Sequence, residues 1–203
     1  MLSPYSPFYK PHCIHCRLPE QACICSQIIS VELPFNIVIC SHNKEWQRND
    51  NTAQWGIISS PNIKRIRWQR RSEYIKTSIP LAQMAQQEGH YLLFPSDDAQ
   101  DIQQMSDDTQ PLSIKQLWVI DGTWQEAQKM LRQSPWLKAM MKVKISTEQN
   151  QPISSQFQLR RNQQGLSTLE AISCAIAVKS PAAAQSLMDN FHLCQDALLN
   201  LKK

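Results

Sequence analysis

Five short runs along the chain look like strands bounded by turn residues, most of them apolar throughout: Phe35 to Cys40, Ile63 to Trp68, Tyr91 to Phe94, Leu117 to Ile120 and Val143 to Ile145. Runs of this length without regular polar alternation fit strands covered on both faces. Between them lie segments whose apolar residues recur at helical spacing: Asn51 to Ile57, Leu81 to Glu88, Thr123 to Arg132 and Ser167 to Lys179. A last helix is predicted over Ala182 to Leu201, with Leu187, Phe191, Leu198 and Leu201 among its apolar positions. Strands alternating with helices predict an α/β domain built on a mostly parallel sheet. Ligands of such folds gather beyond the carboxyl ends of the strands. That rule directs attention to the residues just after Cys40, Phe94 and Ile120.

The first 30 residues break the pattern. Residues 1 to 12 are proline-rich and read as an irregular arm, followed by Cys13-x2-Cys16-x6-Cys23-x-Cys25. Four thiolates can surround one zinc ion tetrahedrally, and a C-x2-C pair places two sulfurs on one metal. Short loops between ligands close at small entropic cost. With all four ligands supplied by the protein, such a site is structural. His12 and His15 stand close enough in sequence to replace one cysteine, and four reduced cysteines without metal is the other reading. The scattered Cys40, Cys174 and Cys194 read as small buried hydrophobes. The chain divides into residues 1–30, an arm and a four-cysteine zinc knuckle, and 31–203, the main domain.

Composition adds limits. The 203 residues are 42% hydrophobic and 19% charged, as in a globular chain. A net charge of +4 tilts slightly toward an anionic partner. No apolar run is as long as a membrane span. Met1 to Pro11 lacks a charged start followed by an apolar stretch. With seven cysteines, an odd number, and no secretory leader, a reducing cytoplasm is the expected compartment.

Chemistry concentrates where the sheet rule points. After the first strand, His42, Glu45 and Arg48 recur every third residue in a polar stretch that reaches Asn51-Thr52. They share a face if the stretch turns helically, and a solvated helix entrance is the plainer alternative. After the third strand, Ser96 or Asp98 in Phe94-Pro95-Ser96-Asp97-Asp98 is placed to cap a following helix. The sharpest signal is Asp121-Gly122-Thr123-Trp124 directly after a buried strand. Gly122 permits a tight turn or close backbone approach, and Thr123 can cap the helix carrying Trp124. An Asx turn beside a core tryptophan would give the same pattern. Further on, Ser155 to Arg161 reads as a strand-like run ending in two arginines. Ser167 and Glu170 make a capping box.

These motifs, in this order, resemble the DTW-domain family, named for Asp-x-Thr-Trp. The resemblance runs from about residue 13 to residue 180 and takes in the cysteine knuckle, the His42 to Thr52 segment, Leu93-Phe94-Pro95 with Asp98, Asp121 to Trp124, Ser155 to Arg160 and Leu166 to Ala171. Several motifs in order are far more specific than one. Two positions depart from the family pattern: Asn43, where a proline often follows the histidine, and Gln54, in a region that is often basic.

The resemblance implies a Rossmann-like, SPOUT-related sheet with a C-terminal trefoil knot, and an enzyme of the tRNA-uridine aminocarboxypropyltransferase type. Such an enzyme moves the 3-amino-3-carboxypropyl group of S-adenosylmethionine to N3 of a uridine and releases methylthioadenosine. The implied catalytic residues are Asp121, as first candidate for the general base, Glu45 as second, and Thr123 and Trp124. The donor pocket would comprise Phe94, Pro95, Asp121, Gly122, Arg160, Leu166, Ser167 and Thr168, with Arg160 or Arg48 gripping the donor carboxylate. His42, Arg48, Lys64, Arg65, Arg67 and Arg70 are the expected RNA contacts, with a solvated strand face as the alternative for the basic run. Zn2+ at Cys13, Cys16, Cys23 and Cys25 would be structural. Two other readings stay open: a methyltransferase of the same fold, and a zinc-bearing RNA-binding module without catalysis.

Overall fold

A computed structural model describes residues 11–71, 75, 80–106, 114–146, 155–159 and 165–201. Six parallel strands form one sheet in the order β2-β1-β5-β3-β6-β4. They are β1 (Asn36–Ser41), β2 (Ile63–Arg67), β3 (His90–Leu93), β4 (Gln100–Asp101), β5 (Gln116–Asp121) and β6 (Met141–Lys144). The helices are α1 (Asn43–Trp46), α2 (Thr52–Ser59), α3 (Leu81–Met84), α4 (Trp124–Gln133), α5 (Pro135–Lys138), α6 (Thr168–Ala177) and α7 (Pro181–Asn200).

All five expected strands are present. The apolar runs lack alternation because both faces of the sheet are covered. Ile37 and Ile39 of β1 and Leu117 and Val119 of β5 face a core closed by α2, α6 and α7, through Ala53, Ile172, Ile176 and Leu187. The intervening Val38, Cys40 and Trp118 face a second core closed by α3, α4 and α5, through Leu81, Met130 and Leu137. Each large side chain removed from water in this way contributes about 1.5–3 kcal/mol.

A third cluster crosses the boundary near residue 30. Cys16, Leu18 and Ile24 of the knuckle pack with Trp55 of α2, Leu169 of α6, and Phe191 and Cys194 of α7. Buried Asn190 of α7 accepts from the Ile29 N–H (3.2 Å) and donates to the Ile29 carbonyl (2.8 Å). The knuckle is therefore seated on the main domain.

Several local expectations are corrected. The loop after β3 leads into a turn and the short strand β4, so neither Ser96 nor Asp98 caps a helix there. Helix α3 stops at Met84 instead of reaching Glu88. Residues 155–159 are irregular and end in a turn, without strand pairing. Arg160 and Arg161 lie outside the described residues. Among the described residues no helix is long and apolar enough to cross a membrane.

Candidate active-site cleft

Ser41 and Asp121 are opposite one another in the β1–β5 register, at the carboxyl ends of both strands. The Ser41 hydroxyl donates to Asp121 Oδ2 at 2.7 Å. Three more groups converge on that carboxylate: the Thr168 hydroxyl at the start of α6 (2.8 Å), Arg65 Nη2 from β2 (3.2 Å), and Asn51 Nδ2 (3.3 Å to each oxygen). Arg65 Nε also donates to the Ser41 hydroxyl at 2.7 Å. The Arg65 and Asp121 side chains are only 1% and 4% exposed. A charge pair buried this deeply persists only where further hydrogen bonds replace the lost water. Asp121 thus fastens β1, β2, α6 and the entrance to α2 to the end of β5.

Glu45, on α1, meets the same cleft with fewer partners. Asn51 Nδ2 donates to its Oε2 at 2.9 Å, and Arg48 Nη1 stands 3.5 Å from its Oε1. Arg48 itself is held two-pronged by Asp50, with both bonds at 3.0 Å. That pairing raises the guanidinium's affinity for its proton. Asn51 serves both halves of the site. Its Oδ1 accepts from the Ala53 N–H (2.9 Å) and caps α2, while its Nδ2 bridges the two carboxylates.

The cleft measures about 830 Å3, within the range typical of small-molecule sites. Its mouth carries Trp124, 54% exposed, stacked on Phe94 with centroids 5.3 Å apart and planes 11° from parallel. Gly122 sits in the floor, where an added Cβ would meet Glu126 Cβ at 3.2 Å. Close approach to the α4 capping box formed by Thr123 and Glu126 therefore explains this glycine. The opposite wall is Phe157 and Leu159. Glu170 holds their segment, accepting from the Ser155 hydroxyl (2.6 Å), the Gln156 N–H and the Ser167 N–H (2.7 Å). The predicted capping box of α6 is present, and its glutamate also positions a cleft wall.

The four sulfurs of the knuckle lie within 4.8 Å of one another. Cys13–Cys25 and Cys16–Cys23 are separated by 3.7 and 3.9 Å. Zinc–sulfur bonds of about 2.3 Å to a tetrahedron of ligands put sulfurs about 3.8 Å apart, so the spacing fits a metal ion. The backbone N–H groups of Cys16 and His15 lower the Cys13 thiol to about 6, whereas burial pushes Cys16 and Cys25 up, so the sulfur spacing is what speaks for an ion. Burial also pushes Cys40 and Cys194 up, in keeping with inert core thiols.

The DTW domain model matches residues 10–199. The chain belongs to the DTW-domain family. Among curated proteins it is 23% identical over 174 residues to tRNA-uridine aminocarboxypropyltransferase 2 of Macaca fascicularis, covering 83% of this chain and 56% of the relative. The same protein of Mus musculus is 22% identical with the same coverage. The chain thus spans little more than half the length of these relatives. No solved structure matches it significantly.

The family's motifs converge on the cleft: Glu45, Arg48, Asp121, Gly122, Thr123, Trp124, Ser167 and Thr168 all line it, and Phe94 supports Trp124 from behind. Pro95 is exposed beyond the lining, and Leu166 faces a separate groove between α6 and α7. Arg160 lies outside the described residues. Arg65, expected at phosphates, is instead buried against Asp121, because on β2 it shares a face with Ile39 and Ser41. Lys64, Arg67 and Arg70 are exposed. His42 caps α1, stacks on Trp68 (5.9 Å) and faces Glu126 (3.3 Å).

Ser41, Asn51 and Arg65 are not legible in the sequence as partners of the DTW aspartate. The available signal for Ser41 is its place as the first polar residue after a buried strand. No local pattern marks Arg65 as inward-facing, because its β2 neighbours are basic on both faces.

Proposed function

We propose that this DTW-domain protein transfers the 3-amino-3-carboxypropyl group of S-adenosylmethionine to N3 of a uridine in tRNA, releasing methylthioadenosine. The observation that carries this reading is the meeting, in one cleft large enough for a small-molecule donor, of the family's Asp121-to-Trp124 segment with a second and more accessible carboxylate, Glu45. The names of the relatives point the same way.

In this reading Glu45 takes the N3 proton. Its side chain faces the cleft at 14% exposure and has a free share of acceptor capacity. A positioned base contributes on the order of 10²–10⁴ in rate. The new bond joins N3 to the donor methylene carbon, and the carbon–sulfur electron pair leaves with sulfur as a neutral thioether. Asp121 acts as an organiser, holding Asn51 and Thr168 against the cleft. Arg48 is the described cation in the cleft lining, placed to exchange Asp50 for a donor carboxylate. The exposed Trp124 ring, stacked on buried Phe94, offers a flat surface for a base turned out of its stack. Lys64, Arg67 and Arg70 supply phosphate contacts beside the cleft. Zinc at the four cysteines contributes folding free energy and no catalytic step. The SPOUT-type knot belongs to the same proposal; its support is the family resemblance together with a parallel sheet against which α6 returns to β5.

The test is nucleoside mass spectrometry of unmodified tRNA after incubation with the protein and S-adenosylmethionine. A uridine heavier by the aminocarboxypropyl group, with methylthioadenosine released, is the expected result. A methyl gain, or an unchanged tRNA, would overturn it.

A further inference from the structure

Among the described residues, Arg17 is the one non-glycine residue with positive φ, 61°. It follows the metal-ligating candidate Cys16, in a turn where the Arg17 N–H donates to the Cys13 carbonyl (2.9 Å) and the Cys13 N–H donates to the Leu18 carbonyl (2.8 Å). Glycine fits this backbone without strain, and an arginine does not. The side chain must therefore have a use. Arg17 Nη1 donates at 2.6 Å to the carbonyl of Trp46, the last residue of α1. Its guanidinium lies 5.7 Å from the Trp46 ring centroid, and that of Arg65 lies 4.9 Å from the same ring. Arg65 Nη2 donates to the neighbouring Glu45 carbonyl at 3.0 Å. A four-residue helix has too few internal bonds to hold itself. Its terminal carbonyls are instead gripped by two cations, in the orientation a helix C-terminus favours. A second tie flanks Cys16 on its other side, where Gln54 Nε2 of α2 donates to the His15 carbonyl at 2.6 Å.

We infer that Arg17 is a positioning residue, held by the metal-closed turn at Cys13 and Cys16, that clamps Trp46 and so sets the place of the Glu45 carboxylate. The knuckle is then a built part of the cleft. The catalytic consequence rests on the transferase reading; the clamp itself does not.

The test uses the full chain, zinc-loaded and labelled with 5-fluorotryptophan, the Trp46 resonance being assigned by its loss in Trp46→Phe. Arg17→Gly relieves the backbone, so one zinc per chain should be retained in native mass spectrometry. Arg17→Asn, also tolerant of this φ, is a second variant. Both should move the Trp46 resonance. Chelating zinc should move it in the parent chain and far less in either variant. Turnover in both variants should fall by up to about 10²-fold, with KM for the donor little changed, and Arg17→Lys should recover part of the loss. An unmoved Trp46 resonance in both variants, or equal responses to chelation in parent and variants, would overturn the clamp. A moved resonance in a chain that modifies no tRNA would spare the clamp and refute the transferase.

Discussion

Two carboxylates face the same cleft and are held in different ways. Asp121 is buried in its lining and receives Ser41, Asn51, Arg65 and Thr168 from four separate parts of the fold. Glu45 stands on a single helical turn, takes one short bond from Asn51 and faces Arg48 at 3.5 Å. A base must offer a lone pair to its substrate and then hold a proton. Asp121 has its acceptor positions occupied by donors that cannot leave without unfastening the sheet end from α6. Glu45 can turn to a substrate while its helix stays clamped. On the proposed reading the signature aspartate is architecture, and the less conspicuous glutamate is chemistry.

The largest effect expected comes from that contrast. Asp121→Ala leaves Arg65 buried and unpaired and strands three further donors. Loss of one partner of a buried charge pair costs about 3–5 kcal/mol, to be read from urea denaturation. Glu45→Gln keeps the size of the side chain and an acceptor for Asn51, and should cost under about 1 kcal/mol. Its expected loss is in turnover, on the order of 10²–10⁴, with unchanged donor affinity by calorimetry. If Glu45→Gln turns over normally, or Asp121→Ala folds as stably as the parent chain, the division of labour is wrong.

The contrast is only half visible in the sequence. Asp121-Gly122-Thr123-Trp124 stands out because a polar residue directly follows an apolar run, and position after a strand is a local property. Strands β1, β3 and β5 are legible for the same reason, their residues being apolar on both sides of the pleat. Occupancy of a carboxylate is not local. It depends on Arg65, 56 positions away, and on Thr168, 47 positions away, brought together only by the β2-β1-β5 order and the docking of α6. The basic run from Lys64 to Arg71 illustrates the converse. As one stretch of charge it reads as a single surface, whereas Arg65 is drawn under Glu45 and Asp121 by its hydrogen bonds and Lys64 and Arg67 stay exposed. β4 is two residues long and has no pattern to read; α1 is one turn, and its clamp comes from a segment 29 residues earlier.

A smaller effect tests the other side of the cleft. Trp124 is half exposed, so Trp124→Ala removes little core and should change stability by no more than about 1 kcal/mol. If its ring receives a base, binding should weaken by about 1–3 kcal/mol, the usual worth of one stacked base. Titration with a uridine-containing oligonucleotide reads this directly. Equal weakening in Glu45→Gln would blur the distinction between a residue that binds and one that moves a proton. Unchanged affinity in Trp124→Ala would remove the stacking surface from the site.

The smallest effect supplies a reference carboxylate from outside the cleft. Asp98 is exposed and hydrogen-bonded to Lys142 Nζ at 2.7 Å. That bond lowers its carboxyl to about 2. A depressed value means that the folded chain favours the ionised form. The contribution is present above the ordinary value of 3.8 and is lost as pH falls through about 2. Carbon-detected NMR should show Asp98 titrating near 2 in the parent chain and moving back up in Lys142→Met. Global stability at neutral pH should scarcely change, because water screens the pair from the Asp98 side, 67% exposed, and methionine retains the covered stem of Lys142. A single strong bond at the surface thus shifts a proton without holding the fold together. Asp121, buried with four partners, is expected to do the reverse, and a large loss of stability in Lys142→Met would show that partner number and burial are not what separates them.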